Sequence, residues 1–133
     1  MAATTALITG ASSGIGLELA RLMAAEGNHL VLVARSEQKL KVLAQELREA
    51  HGVNVTVLPY DLTKAEAANR LFDEVATRDI VVDVLVNNAG FGELGRFWRI
   101  STDRQLDMIR LNIEALVHLT RLFLAGMVKR GRG

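Results

Sequence analysis

The chain has no cysteine, and only one tyrosine and one tryptophan among its 133 residues. Without cysteine there are no disulfides and no thiol chemistry, and the cytosol is the default compartment. A charge excess of either sign is also missing. Lys and Arg number 16 against 15 Asp and Glu, so no basic surface argues for nucleic acid. No apolar run approaches a membrane span, and the amino terminus leads directly into a strand, not a signal peptide. Internal repeats, low-complexity stretches and interdomain linkers are absent too, and no metal site is expected. What the chain has is apolar material, 50% of its residues, enough for the core of one domain spanning residues 1–133.

Apolar strands alternate with amphipathic helices along the whole length. Ala6-Leu7-Ile8 reads as a buried parallel strand, and Leu17, Leu19, Ala20, Met23 and Ala24 recur at helical spacing before a stop at Gly27. His29–Ala34 is a second strand. Ser36 can cap a helix to about Ala50, with Leu40, Leu43, Ala44 and Leu47 as its inward stripe and Gly52 at its end. Val53–Leu58 is a third strand. Thr63-Lys64-Ala65-Glu66 has the form of a capping box ahead of a helix that turns Ala67, Leu71, Phe72 and Val75 inward. Val82–Val86 is a fourth strand. A second capping box, Thr102-Asp103-Arg104-Gln105, opens a last helix that runs on through Leu106, Ile109, Ile113, Leu116, Val117, Thr120 and Phe123. The Lys129, Arg130 and Arg132 cluster complements that helix's dipole. This alternation predicts an α/β parallel sheet with helices on both faces and strand order 3-2-1-4.

Between the first strand and helix stands Thr9-Gly10-Ala11-Ser12-Ser13-Gly14-Ile15-Gly16. Such a turn aims backbone N–H groups at an anion and sets it at the positive end of the helix dipole, with the Ser12 and Ser13 hydroxyls as further donors. The lysine of a nucleotide-triphosphate loop is missing, and so is the shorter G-x-G-x-x-G spacing. The pattern is G-x-x-x-G-x-G. The alternative is an ordinary glycine-rich turn. Missing as well is a carboxylate at the end of the second strand, where a free ribose hydroxyl would be bound about 20 residues past the glycines. Arg35 stands there, 19 residues beyond Gly16. Its guanidinium suits a ribose phosphate, which favours NADP(H) over NAD(H). A solvated arginine is the competing reading, and Glu37 is close enough in sequence to pair with Arg35.

With these residues laid out, the chain resembles the amino-terminal half of a short-chain dehydrogenase/reductase. The glycine turn, Asp61-Leu62 after the third strand, Asn87-Asn88-Ala89-Gly90 after the fourth and Asn112 in the last helix occur in that family's order and spacing. The resemblance implies a three-layer Rossmann fold, here truncated after the fourth strand and the long helix that follows. It also implies roles. Gly10, Ser12, Ser13, Gly14, Ile15 and Gly16 would hold the pyrophosphate, Ile15 through its backbone. Asp61 would bond the adenine amino group with Leu62 beside it. Asn88, Ala89 and Gly90 would line the ribose and nicotinamide side, with Asn87 bracing the sheet. Asn112 would hold a water in the proton relay; a polar helix residue satisfied locally is the alternative.

The family's hydride transfer to a carbonyl or from an alcohol needs a serine, a tyrosine and a lysine that normally follow the next strand. The 133-residue chain does not contain them, so alone it is expected to be inactive. Tyr60-Asp61-Leu62-Thr63-Lys64 mimics the Y-x-x-x-K pair but is rejected, because Tyr60 ends a strand and both side chains must share one helical face. His29 and His51 stand at element ends, and His118 reads as a packing or surface residue. Phe91, Leu94, Phe97 and Trp98 form either an apolar wall near the substrate or packing beneath a loop. The fourth strand would be a poor edge, so its cover is expected to be either the missing carboxy-terminal half or a second copy in a homo-oligomer. The alternative to an oxidoreductase is a non-enzymatic NADP(H)-binding or interaction module that naturally ends at residue 133.

Overall fold

The computed structural model describes residues 3–133. Strands β1 (Thr5–Thr9), β2 (His29–Ala34), β3 (Val55–Pro59) and β4 (Val84–Val86) form one parallel sheet in the order β3-β2-β1-β4. The helices are α1 (Gly14–Ala25), α2 (Glu37–His51), α3 (Ala67–Thr77), α4 (Thr102–Ile109) and α5 (Leu116–Arg130). A 3₁₀ turn, Phe97–Arg99, precedes α4, and a π-helical segment, Arg110–Ala115, joins α4 to α5.

Side chains alternate across a strand, and here both faces are apolar. Ala6, Ile8, Leu30, Leu32 and Ala34 pack with Leu40, Leu43, Ala44 and Leu47 of α2 and with Ala20 and Ala24 of α1. Leu7, Val31, Val33 and Leu58 pack on the opposite face with Leu71 and Val75 of α3 and with Leu119 and Phe123 of α5. The expected three layers and strand order are therefore present. Between β3 and β4 the chain crosses to the far side of β1, which opens a crevice beyond the carboxyl ends of the strands.

Two caps differ from expectation. Ser36 caps α2 as predicted, its Oγ accepting from the Lys39 amide at 3.4 Å. Thr63, however, does not cap α3: its amide and hydroxyl both donate to Asp61 Oδ1, at 3.0 and 2.7 Å, and the helix starts later, at Ala67. Asp61, an acceptor two residues upstream, takes the Thr63 amide that the Glu66 side chain of a capping box would bind, and turns the Thr63 hydroxyl into a donor. Ser101 rather than Thr102 caps α4, accepting from the Arg104 amide at 3.2 Å. The cap is displaced by one residue, and Arg104, three residues on, cannot complete a capping box.

The last helix also differs. Its buried face is Ala115, Leu119, Phe123 and Met127, while Leu106, Ile109, Ile113, Leu116 and Val117 are exposed. The wide π turn departs from the 3.6-residue period and rotates everything after it. The expectation that no apolar run approaches a membrane span is likewise corrected. Thr102–Arg130 is 29 residues long with a window of mean hydropathy 1.4, enough to cross a membrane by length and composition alone. That is weak support for a span, because one apolar face packs on the sheet and a second lies outside it. Arg130 donates to the Val82 carbonyl at 2.8 Å, and Arg132 pairs with Asp83 at 3.6 Å, so the basic cluster also ties the helix end to the base of β4.

Candidate functional site

The glycine turn is positioned by the far end of the sheet. Thr9 is 1% exposed, and its Oγ1 accepts from the Asn88 and Ala89 amides at 3.0 and 2.9 Å. The Asn88 side-chain amide donates back to the Thr9 and Gly10 carbonyls at 3.0 and 3.2 Å. On the other side the Ala11 amide donates to the Val33 carbonyl at 3.2 Å. A Cβ on Gly16 would stand 2.3 Å from the Gly10 carbonyl oxygen, so close packing within the turn requires that glycine. Gly14 faces open space but holds φ at +54°, a left-handed backbone that favours glycine.

The turn therefore delivers α1 with its amino end uncovered. Ser13 at the N-cap makes no side-chain capping bond, and the first turn has no acidic residue. Those orphan N–H groups and the dipole they terminate are the chemistry that suits an anion.

A crevice of about 490 Å³ opens beside this turn, above the ends of β1, β2 and β3. It gathers Gly10, Ser12, Ser13, Arg35, Asp61, Leu62, Ala89 and Gly90, all singled out by the sequence. Gly14, Ile15, Gly16, Asn88 and Asn112 lie outside its lining. Ile15 is exposed. Asn88 acts through the turn it braces, and Asn87 donates to Thr120 Oγ1 at 2.8 Å, bracing the sheet against α5. Asn112 is engaged at both ends of its amide: Oδ1 accepts from the Phe91 amide at 3.0 Å and Nδ2 donates to the Phe91 carbonyl at 2.8 Å.

The electrostatics of the crevice are set by Asp61. Burial opposes its ionisation, but the Thr63 bonds and the positive charges of Lys64 and Arg35 together hold its carboxyl below the usual range. It is an ionised acceptor near neutrality. Glu37, which could have blunted Arg35, pairs instead with Lys41 at 2.8 Å. The Tyr60 hydroxyl donates to Glu74, and its pKa is pushed up to about 12, first by burial and then by that carboxylate. This is opposite to the shift a proton-relaying tyrosine needs. Leu94, Phe97 and Trp98 are 100%, 77% and 76% exposed, so they do not pack beneath a loop.

Sequence reasoning missed three residues that shape the site. Thr9 is the hub described above, Lys39 lines the crevice beside Arg35, and Leu111 closes it near Phe91. Lys39 had a usable signal, since it lies one helical turn after Arg35. Thr9 stood at the head of the glycine motif but was given no role, because its partners are 79 and 80 residues away.

The short chain dehydrogenase family profile matches residues 4–133. The chain is 40% identical over 131 residues to a fatty acyl-CoA reductase of Acinetobacter baylyi, covering 96% of this chain and 44% of that protein. It is 36% identical over 132 residues to a very-long-chain 3-oxoacyl-CoA reductase of Laccaria bicolor, covering 96% and 38%. Among solved structures, a short-chain dehydrogenase from Sphingobium yanoikuyae in complex with NADPH is similar with a TM-score of 0.91 and 38% identity, over 98% of this chain and 50% of that one. The chain thus spans half or less of the length of these relatives. A matching profile over nearly all its residues, on a Rossmann sheet with this glycine turn, means that the chain belongs to the short-chain dehydrogenase family.

Proposed function

We propose that the protein is an NADP(H)-dependent oxidoreductase acting on a small carbonyl or alcohol substrate, and that this chain is its dinucleotide-binding half. The observation that carries the reading is the uncapped, acid-free first turn of α1 beside a crevice that also holds Arg35. When bound, the dinucleotide supplies hydride transfer at its nicotinamide. The chain's residues bind and orient it. Gly14 and Ile15 offer main-chain amides to the pyrophosphate, Ser12 and Ser13 add hydroxyls, and Gly10 and Gly16 let the turn close. Arg35 takes the ribose phosphate, and ionised Asp61 accepts from the adenine amino group with Leu62 against the ring. Ala89 and Gly90 border the nicotinamide side, held there through Asn88. Asn112, whose side chain also holds the Phe91 backbone, would hold a water of the proton relay.

The solved NADPH complex of the Sphingobium relative supports this choice of cofactor. Chemistry at the substrate requires a proton-relaying tyrosine other than Tyr60, whose hydroxyl is committed to Glu74. We further propose that another polypeptide, either a carboxy-terminal half such as the longer relatives have room for or a second copy, covers the free side of β4. The cytosol is the proposed compartment, on the absence of cysteine.

Fluorescence titration with NADPH and NADH tests the cofactor. NADPH is expected to bind more tightly, and Arg35→Ala to erase the difference, a loss of roughly 1.5–3 kcal/mol for a charged hydrogen-bonded contact. Equal affinities in the parent protein would overturn the assignment.

A further inference from the structure

Arg35 is not the only unneutralised cation at its end of the crevice. Lys39 lines the same crevice, as do Ser36, which lies between the two in sequence, and Ser12 and Ser13. Neither Arg35 nor Lys39 forms an ion pair among the described residues. The carboxylates that could have neutralised them are occupied. Glu37 is held by Lys41, and Asp61 takes two hydrogen bonds from Thr63 on one oxygen. The bond from the Lys39 amide to Ser36 Oγ fixes the first turn of α2, so both cations flank one helix start. Two cations lining one crevice, neither in an ion pair and with Asp61 there engaged by Thr63, suit a group with nearly two negative charges and several acceptor oxygens, which describes a phosphate monoester and not a hydroxyl.

We infer that Lys39 is a second specificity-determining residue, gripping the ribose phosphate of the cofactor jointly with Arg35. This rests on the NADP(H) reading above and adds a residue to it. Arg35 supplies a planar fork, and Lys39 a mobile point charge that neutralises the remaining charge. Lys39 is exposed and makes no core contact, so its replacement leaves the fold intact.

Calorimetric titration of the protein with adenosine 2′,5′-bisphosphate and 5′-AMP, alongside NADPH and NADH, tests the inference. Lys39→Ala is expected to weaken the bisphosphate and NADPH roughly tenfold while leaving 5′-AMP and NADH within about twofold. Lys39→Arg is expected to retain the preference. A Lys39→Ala protein that keeps the full preference, while Arg35→Ala loses it, overturns the role of Lys39 and leaves the cofactor assignment standing. Equal weakening of all four ligands by Lys39→Ala also overturns it, since the residue would then act on the site as a whole. A parent protein without preference for the phosphorylated ligands overturns both.

Discussion

Tyr60 donates its hydroxyl to Glu74, and burial and that carboxylate together push its pKa up to about 12. Glu74 moves the other way, held below the usual carboxylate range by Tyr60 and then Arg78. A tyrosine raised above its ordinary value of about 10 favours the neutral phenol in the folded state. The stability it lends is complete below that value and is lost as pH rises from there towards about 12. Since Tyr60 is the only tyrosine, tyrosinate absorbance reports it alone. The expected midpoint lies near 12 in the parent, and Glu74→Gln is expected to lower it. A parent midpoint at the ordinary value would remove the bond to Glu74 from the account. The same bond explains why Y-x-x-x-K is a coincidence here: Tyr60 leaves β3 pointing at α3, while Lys64 lies in the turn that Asp61 and Thr63 organise.

At the scale of elements, caps discriminate between the predicted and observed helix starts. Ser101→Ala is expected to cost about 1 kcal/mol in urea denaturation, and Thr102→Ala only a few tenths. The reverse order would restore the capping box at Thr102. The strands and α2 were legible because each carries its own period: alternating apolar residues in β2, and Leu40, Leu43, Ala44 and Leu47 at helical spacing. The crevice was legible at Arg35, whose type states its chemistry, and at Asp61, which the family resemblance singled out. Legibility ended where a distant partner decides the outcome. Thr63 looks like a cap until Asp61 claims it, and only the Gly10 carbonyl, packed against Gly16, says why that position is a glycine. The π segment Arg110–Ala115 was hidden for a related reason. Asn112 there reaches across to the Phe91 backbone, and no local periodicity announces such a tether. Extra-wide turns of this kind cluster at functional sites.

For the whole molecule, the open question of β4 becomes measurable. It pairs with β1 alone, and its three residues Val84, Leu85 and Val86 are half-buried. Unpaired apolar edges invite another strand. With a covering polypeptide, the outward amides of β4 are expected to exchange as slowly as those of β1, and sedimentation to report more than one chain's mass if that cover is a second copy. Fast exchange at β4 would leave the edge bare and overturn the proposal. A different consequence follows from the bonds that join Thr9 to Asn88 and Ala89, 79 and 80 residues downstream. Contacts so far apart in sequence form late. During synthesis the glycine turn leaves the ribosome long before its buttress does, so the turn is expected to reach its final form only once Ala89 has emerged and docked.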